Sequence, residues 1–187
     1  MGILGSNDWK GSAVAQEPRL HQIAPYIGRL KSPLARVLVS SFTKAGQTVF
    51  DPFSGAGTVP LEAWIHERNA IASDLNPYAQ VLTTAKLFPP RSLEEALGQI
   101  EETARDATRA ARRVDLRKVP SWVRVFFHSE TLRETLAWSQ VLTERRSTFL
   151  LACLLGILHH QRPGFLSHPS SHTVPYLRAC LKRRPSH

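Results

Sequence analysis

The sequence predicts an α/β protein with a parallel sheet in its first half and helices in its second. Two short apolar runs, at residues 48–50 and 70–73, are each followed at once by an aspartate. Segments with apolar residues at helical spacing stand before, between and after these runs. This alternation of helix and strand is typical of a parallel sheet.

The helices of the first half have recognisable start and stop signals. Ser32-Pro33 predicts a helix start with Ser32 as the N-cap, and Gly46 marks the stop. A second helix is expected over residues 58–68. Asn76-Pro77 opens a third helix, which Pro89-Pro90 terminates.

The second half shows helical patterns. Residues 92–95 form a capping box, and an apolar face follows over residues 93–107. Further helices are expected over 131–142 and 149–159, whereas residues 123–127 could form a strand or part of a helix. With two clear strands, the chain has only part of a doubly wound sheet, which normally has five or more.

These patterns divide the chain into three parts. Residues 1–20 show no periodicity and predict a flexible N-terminal arm. Residues 21–90 form the predicted α/β unit, and residues 91–187 form a helical region with a basic C-terminal tail.

Composition and charge exclude several classes of protein. With 42% hydrophobic and 21% charged residues, the 187-residue chain fits neither a disordered polymer nor a membrane protein. The apolar run at 149–158 is about half the length of a membrane span, ~20 residues. Cys153 and Cys180 indicate reduced thiols, and hence a cytoplasmic location. The four histidines at 159, 160, 168 and 172 lack zinc-site spacing, so we expect no metal.

The net charge of +9 favours a polyanionic partner, and nucleic acid is the commonest one. The basic residues concentrate in two segments. The first contains Arg105, Arg109, Arg112, Arg113, Arg117 and Lys118, and the second contains Arg178, Lys182, Arg183 and Arg184.

One turn carries the features of a nucleoside site. The first strand ends at Asp51, Gly55 and Gly57 allow a tight turn, and a helix with free N–H groups begins behind them. Asp74 follows about 20 residues later, where a carboxylate can accept ribose hydroxyl hydrogens. The third glycine of a dinucleotide fingerprint is missing, and Asp51 would repel a pyrophosphate. Asp51 suits a cationic ligand such as S-adenosylmethionine.

Residues 51–58, Asp-Pro-Phe-Ser-Gly-Ala-Gly-Thr, resemble the D-P-F-x-G-x-G-T motif of S-adenosylmethionine-dependent amino-methyltransferases, chiefly bacterial DNA methylases. Residues 73–79 are similar to the second cofactor motif of that family, and residues 21–42 to its segment over the methionine end. Residues 126–132 and 154–159 resemble the spacer of one branch. The resemblance spans about residues 20–180.

The resemblance implies a partial Rossmann-like class I methyltransferase fold with an additional helical region. Asp51 and the backbone of Phe53, Ser54 and Gly55 would hold the methionine part of S-adenosylmethionine. Asp74 would bind the ribose, and Leu75 would lie against the adenine. The whole implied cofactor-binding set is Asp51, Pro52, Phe53, Ser54, Gly55, Gly57, Thr58, Asp74, Leu75 and Asn76.

The family's catalytic tetrapeptide, [DNS]-P-P-[YFW], is absent from the sequence. Its polar side chain and a backbone carbonyl accept the target amino hydrogens, while its aromatic residue stacks on the flipped base. The nearest partial matches, at residues 76–78, 88–91 and 174–176, each lack an essential member. We therefore expect the cofactor half of a truncated or split DNA methylase, inactive alone, with a second chain supplying the catalytic half. The alternatives are an RNA guanine methylase and a non-catalytic S-adenosylmethionine-binding remnant or partner subunit.

Overall fold

The computed structural model describes residues 17–124 and 127–158, and the chain divides into two compact units between Pro89 and Pro90. The first unit begins with a 3-10 turn at Arg19–Gln22. Its remaining elements are α1 (Ser32–Phe42), β1 (Thr48–Asp51), α2 (Thr58–Ile65), β2 (Asn69–Ala72) and α3 (Pro77–Leu87).

The sheet of the first unit pairs β1 with β2 in parallel. The register aligns Thr48 with Asn69 and Asp51 with Ala72. The N–H of Ser73 still donates to the carbonyl of Asp51, at 2.9 Å, so the pairing extends to the residue before Asp74. The predicted parallel sheet is therefore confirmed.

One face of this sheet is open. Phe50 and Ile71 stand side by side in the register, and both are more than half exposed. Within the described residues, the two-stranded parallel sheet and the predominance of helices confirm a helix-rich α/β arrangement. The fuller Rossmann-like arrangement stays a prediction.

The start of α1 differs from the sequence prediction. Lys31, not Ser32, occupies the N-cap position, and Ser32 is the first helical residue. The Ser32 hydroxyl instead donates to Glu17 Oε1 at 2.9 Å, and Arg29 binds the other oxygen of that carboxylate at 2.8 Å. These long-range bonds take the place of a local cap. They also join Glu17, which belongs to the predicted N-terminal arm, to Arg29 and Ser32.

The start of α3 agrees with its sequence signal. The Asn76 side chain accepts the N–H of Tyr78 at 3.0 Å, and Pro77 is the first helical residue, where its missing N–H has no cost. The helix ends at Leu87, two residues before Pro89.

The second unit is helical throughout its described residues. Its elements are α4 (Leu93–Ala111), a 3-10 turn at Leu116–Lys118, α5 (Ser121–Arg124), α6 (Ser129–Glu144) and α7 (Thr148–Leu158). Ser92 caps α4 by accepting the N–H of Glu95 at 3.1 Å, as the capping box predicts. Small and branched side chains of α4 and α6 form the core of this unit, namely Ala107, Ala137 and Val141. Trp138 packs against this core.

Several predicted features lie outside the described residues. They include the four clustered histidines, Cys180, the second basic segment and the partial motif at residues 174–176. Of the ambiguous run at 123–127, Val123 and Arg124 are helical, and residues 125 and 126 lie outside the described ranges. In those ranges, no helix combines the length and the apolar character needed to cross a bilayer.

Candidate functional site

The carboxyl ends of β1 and β2 place two aspartates in one cleft. Asp51 is the last residue of β1, and Asp74 follows β2 by two residues. Parallel neighbouring strands end at the same edge of a sheet, so both side chains converge there. The cleft has a volume of about 400 Å³. Its lining residues are Tyr26, Gly28, Arg29, Leu30, Asp51, Phe53, Ser54, Gly55, Ala56, Thr58, Val59 and Asp74.

The turn between β1 and α2 is held by backbone hydrogen bonds. The N–H of Gly57 donates to the Ser54 carbonyl at 2.7 Å, and the N–H of Ser54 donates to the Ser73 carbonyl at 3.0 Å. The φ angles of Gly55 and Gly57 are +49° and +70°, in the left-handed region that favours glycine. The turn is thereby tied to the end of β2.

The two glycines also allow close packing. A Cβ on Gly55 would lie 3.2 Å from the Tyr26 ring, and a Cβ on Gly57 would lie 2.9 Å from the Cα of Thr83. The second distance is shorter than real Cβ atoms show, and the obstacle is backbone. Tyr26 itself stacks on Tyr78, with ring centroids 5.9 Å apart.

The Asp74 carboxylate is held by the backbone on both oxygens. Asn76 N–H donates to Oδ1 at 2.8 Å and Gly55 N–H donates to Oδ2 at 2.7 Å. These bonds, that of Asn76 first, lower the pKa of Asp74 below its usual range. Each carboxylate oxygen has a second lone pair. An ionised Asp74 can therefore also accept the hydrogens of two ligand hydroxyls.

Two further groups give the cleft polar character. Asp51 Oδ1 accepts the N–H of Phe53 at 3.1 Å, an interaction that orients the carboxylate beside its own turn. The hydroxyl of Thr58, at the start of α2, is buried and has no hydrogen-bond partner. Buried polar atoms are normally paired, so an unpaired hydroxyl that lines a cleft fits a site for a polar ligand. This chemistry is compatible with a nucleoside that carries an amino acid, such as S-adenosylmethionine.

The structure brings together only some of the sequence-predicted site residues. Asp51, Phe53, Ser54, Gly55, Thr58 and Asp74 line the cleft, whereas Pro52, Gly57, Leu75 and Asn76 do not. Gly57 shapes the turn from behind, and Asn76 caps α3. Leu75 is 98% exposed and does not line the cleft, so its expected contact with adenine stays a prediction.

A buried carboxylate links α2 to the preceding part of the first unit. Glu62 is fully buried, and its Oε1 pairs with His21 Nε2 at 2.8 Å while its Oε2 pairs with Arg36 Nε at 3.3 Å. Burial raises the pKa of Glu62, but the hydrogen bonds from His21 and Arg36 outweigh it and leave the pKa lowered. Glu62 therefore joins the segment before α1, and α1 itself, to α2.

The sequence-based prediction of the site lacks Glu62, His21 and Lys86, three buried groups that do not line the cleft. Lys86 is the clearest case, because helical spacing alone places it on the buried face of α3. It stands four residues after Leu82 and seven after Ala79, both of which are fully buried. The sequence therefore does contain a signal for a buried cation, namely a lysine at helical spacing from apolar residues.

No metal site is evident in the part of the chain that the structure describes, where no group of three or more potential ligands occurs.

Comparison with known proteins identifies relatives of part of this chain. A family model described as "RMKL-like, methyltransferase domain" matches residues 21–117. The Type II methyltransferase M.MvaI of Kocuria varians is 34% identical over 62 residues, which are 32% of this chain and 14% of that protein. The chain thus matches about one seventh of the length of this curated relative. No solved structure matches the chain.

Proposed function

This chain belongs to the RMKL-like methyltransferase domain family, and we propose that it binds S-adenosylmethionine in the cleft of its first unit. The proposed reaction is the methylation of an exocyclic amino group of a DNA base, to which this chain contributes the cofactor-binding part. The convergence of Asp51, the glycine turn and Asp74 on one cleft carries this proposal.

Three polar groups of the cleft have proposed roles that follow from their chemistry. Asp51 complements the ammonium of the methionine part, and Asp74 accepts hydrogens from the ribose hydroxyls. The unpaired hydroxyl of Thr58 supplies one more hydrogen bond inside the cleft. Bound S-adenosylmethionine supplies an electrophilic methyl group on its sulfonium. A negative Asp51 disfavours the pyrophosphate of a dinucleotide, so the same residues select against NAD.

A basic surface on the second unit supports a nucleic acid partner. All six basic residues of the first basic segment are exposed, along α4 and the turn that follows it: Arg105, Arg109, Arg112, Arg113, Arg117 and Lys118. Two of them form salt bridges, Arg109 with Asp106 and Arg117 with Asp115. Such a surface binds phosphates with an affinity that falls steeply as salt rises.

We further propose that a second polypeptide segment completes the enzyme. The tetrapeptide that would polarise the target amino group and hold the flipped base is absent from the sequence. The open sheet face at Phe50 and Ile71 supports the addition of α/β structure, because parallel sheets are normally covered on both faces. The proposed partner is a segment that carries [DNS]-P-P-[YFW] and covers this face.

Calorimetry with adenosylhomocysteine and NAD tests the cofactor assignment. The full chain should bind adenosylhomocysteine and not NAD, and Asp74→Ala should weaken binding by roughly tenfold or more, because hydrogen bonds to a charged group are strong. Asp115→Ala, which removes a carboxylate of the second unit, is the matched control and should bind normally. Tighter binding of NAD than of adenosylhomocysteine would reject the proposal.

The preference for DNA over RNA and the methyl-transfer activity of the chain alone are tested by two separate measurements. Fluorescence anisotropy with duplex DNA and with structured RNA over a salt series should show preferential, salt-sensitive binding to DNA. Preference for RNA would reassign the substrate.

In a radiolabelled methyl-transfer assay, the chain alone should match the Asp74→Ala background, because preorganised catalytic groups are worth ~10²–10³ in rate each. Turnover above that background would mean that the chain carries its own catalytic residues.

A further inference from the structure

Lys86 is a cation in the interior of the first unit. It lies on α3 and is 1% exposed. Burial of an ammonium group is unfavourable unless hydrogen bonds compensate the lost hydration, so a buried lysine needs a structural reason. A methionine would fill the same volume without that cost.

The ammonium of Lys86 is directed at the glycine turn. Lys86 Nζ donates a hydrogen bond to the carbonyl of Ala56, the central residue of Gly55-Ala56-Gly57. The N–H of Gly57, on the same peptide plane, donates to the Ser54 carbonyl at 2.7 Å. The peptide plane between Ala56 and Gly57 is therefore fixed at both ends.

A second residue of α3 contacts the same turn. Thr83, three residues before Lys86 and on the same face of the helix, donates from Oγ1 to the Ser54 hydroxyl at 3.2 Å. Its Oγ1 also lies 3.5 Å from the Gly55 carbonyl. Thus α3 packs directly behind the turn and places Lys86 at its carbonyl side.

The charged groups near Lys86 do not neutralise it. Burial first, and then Arg29, lowers the pKa of Lys86 to about 8, whereas Glu17 has the opposite effect. Glu17 is already paired with Arg29 at 2.8 Å and accepts the Ser32 hydroxyl at 2.9 Å. The Ala56 carbonyl is the hydrogen-bond acceptor that the structure gives to Nζ.

We propose that Lys86 is a positioning residue for cofactor binding, which holds the Ala56–Gly57 peptide plane so that the turn keeps its ligand-binding conformation. The inference rests on the proposed function, since it assigns Lys86 to the S-adenosylmethionine site. Lys86 does not line the cleft and acts through the turn.

Lys86→Met in the full chain tests this role, with Lys44→Met as the matched control because Lys44 is exposed. Calorimetry should show adenosylhomocysteine binding that is roughly tenfold weaker in Lys86→Met at pH 7, and unchanged in Lys44→Met. The difference between wild type and Lys86→Met should shrink as the pH rises through about 8, where Lys86 loses its proton. The amino group of adenosylhomocysteine titrates equally with both proteins, so this difference isolates Lys86.

A second measurement needs no ligand. The amide resonances of Gly55 and Gly57 should titrate with a midpoint near pH 8 in the wild-type protein and should not do so in Lys86→Met. Binding by Lys86→Met within twofold of wild type at every pH would overturn the inference. If Lys86→Met fails to fold, the wild-type amide titration decides, and flat Gly57 resonances overturn the inference. If wild type binds no adenosylhomocysteine, the proposed function fails, and the amide titration alone decides whether Lys86 holds the turn.

Discussion

The two units bury different kinds of side chain. The first unit buries His21, Glu62 and Lys86, all of which can carry charge. Among the described residues of the second unit, the buried polar side chains are threonines: Thr103, Thr131 and Thr135. The charged pairs of the second unit, such as Arg145 with Glu102, lie at its surface.

The cavities of the two units differ in the same way. The cleft of the first unit is bordered by Asp51, Asp74 and the unpaired Thr58 hydroxyl. The second unit has a cavity of about 370 Å³ lined mainly by apolar side chains of α4, α6 and α7, Trp138 among them. Buried charge costs stability, so its concentration in the first unit indicates that this unit is organised for binding and the second for packing.

The sharpest test of this difference is Gly57→Ala. The alanine would have to keep the left-handed backbone conformation of Gly57, and its Cβ would lie 2.9 Å from the Cα of Thr83. We therefore expect a loss of stability. The combined strain and overpacking should cost about 4 kcal/mol. Urea denaturation, followed through assigned amide signals of each unit, should show the loss in the first unit.

Gly46→Ala is the control for Gly57→Ala. Gly46 also has a positive φ, +80°, but no atom lies within 4 Å of the place that a Cβ would occupy. This substitution should cost about 1 kcal/mol, from backbone conformation alone. Equal losses for the two variants would show that α3 does not pack closely behind the turn.

A second test uses the pH dependence of stability. The pKa of Lys86 is about 8 in the folded protein and 10.5 in an unfolded chain, so the unfolded state binds more protons between these values. The stability of wild type should therefore rise relative to Lys86→Met between pH 8 and 10.5, by roughly 3 kcal/mol in total. Parallel stability curves for the two proteins would show that Lys86 does not carry a buried charge.

The third test removes the charge of Glu62. Glu62→Gln should lower the stability of the first unit by about 2 kcal/mol at neutral pH, because the bonds to His21 and Arg36 lose their charge. The lowered pKa of Glu62 means that wild type keeps this stabilisation above pH 4.5 and loses it as the pH falls through the lowered value.

The control for this test is Glu67→Gln, at an exposed position of the same unit. Glu67→Gln should leave the loss of stability at acid pH (the acid limb of the stability curve) unchanged, whereas Glu62→Gln should make that loss smaller. If both variants keep the wild-type acid limb, Glu62 does not contribute to the pH dependence.

The sequence allowed prediction of those features that depend on local pattern. The positions of β1 and β2 (β2 to within one residue), the Asn76 cap and the convergence of Asp51 with Asp74 follow from strand length, capping preference and parallel pairing. The predicted N-cap role of Ser32 is wrong, because its partner, Glu17, lies fifteen residues away. Lys86 stands on the apolar face of its helix, but the carbonyl that accepts its hydrogen bond is thirty residues distant. Contacts of that kind depend on packing, which no local pattern encodes.

The smallest expected effect concerns the surface of the second unit. Arg145 follows α6 and binds Glu102 Oε2 at 2.8 Å as well as Asp106, both on α4. These bonds raise the pKa of Arg145, and the bond to Glu102 has the larger effect. In turn, Arg145 lowers the pKa of Asp106. All three groups are accessible to solvent, so water and salt screen most of their attraction. Arg145→Ala should lower the stability of the second unit slightly at low salt, and not at high salt.

Arg117→Ala is the matched comparison, since Arg117 pairs only two residues away with Asp115 and joins no two helices. It should have less effect than Arg145→Ala at low salt, because a local pair adds little that the unfolded chain lacks. Calorimetry should give wild-type adenosylhomocysteine affinity for both variants, since neither residue belongs to the unit that contains the cleft. A loss of affinity in Arg145→Ala would break the division of roles between the units, because a surface pair of the packing unit would then govern the binding unit.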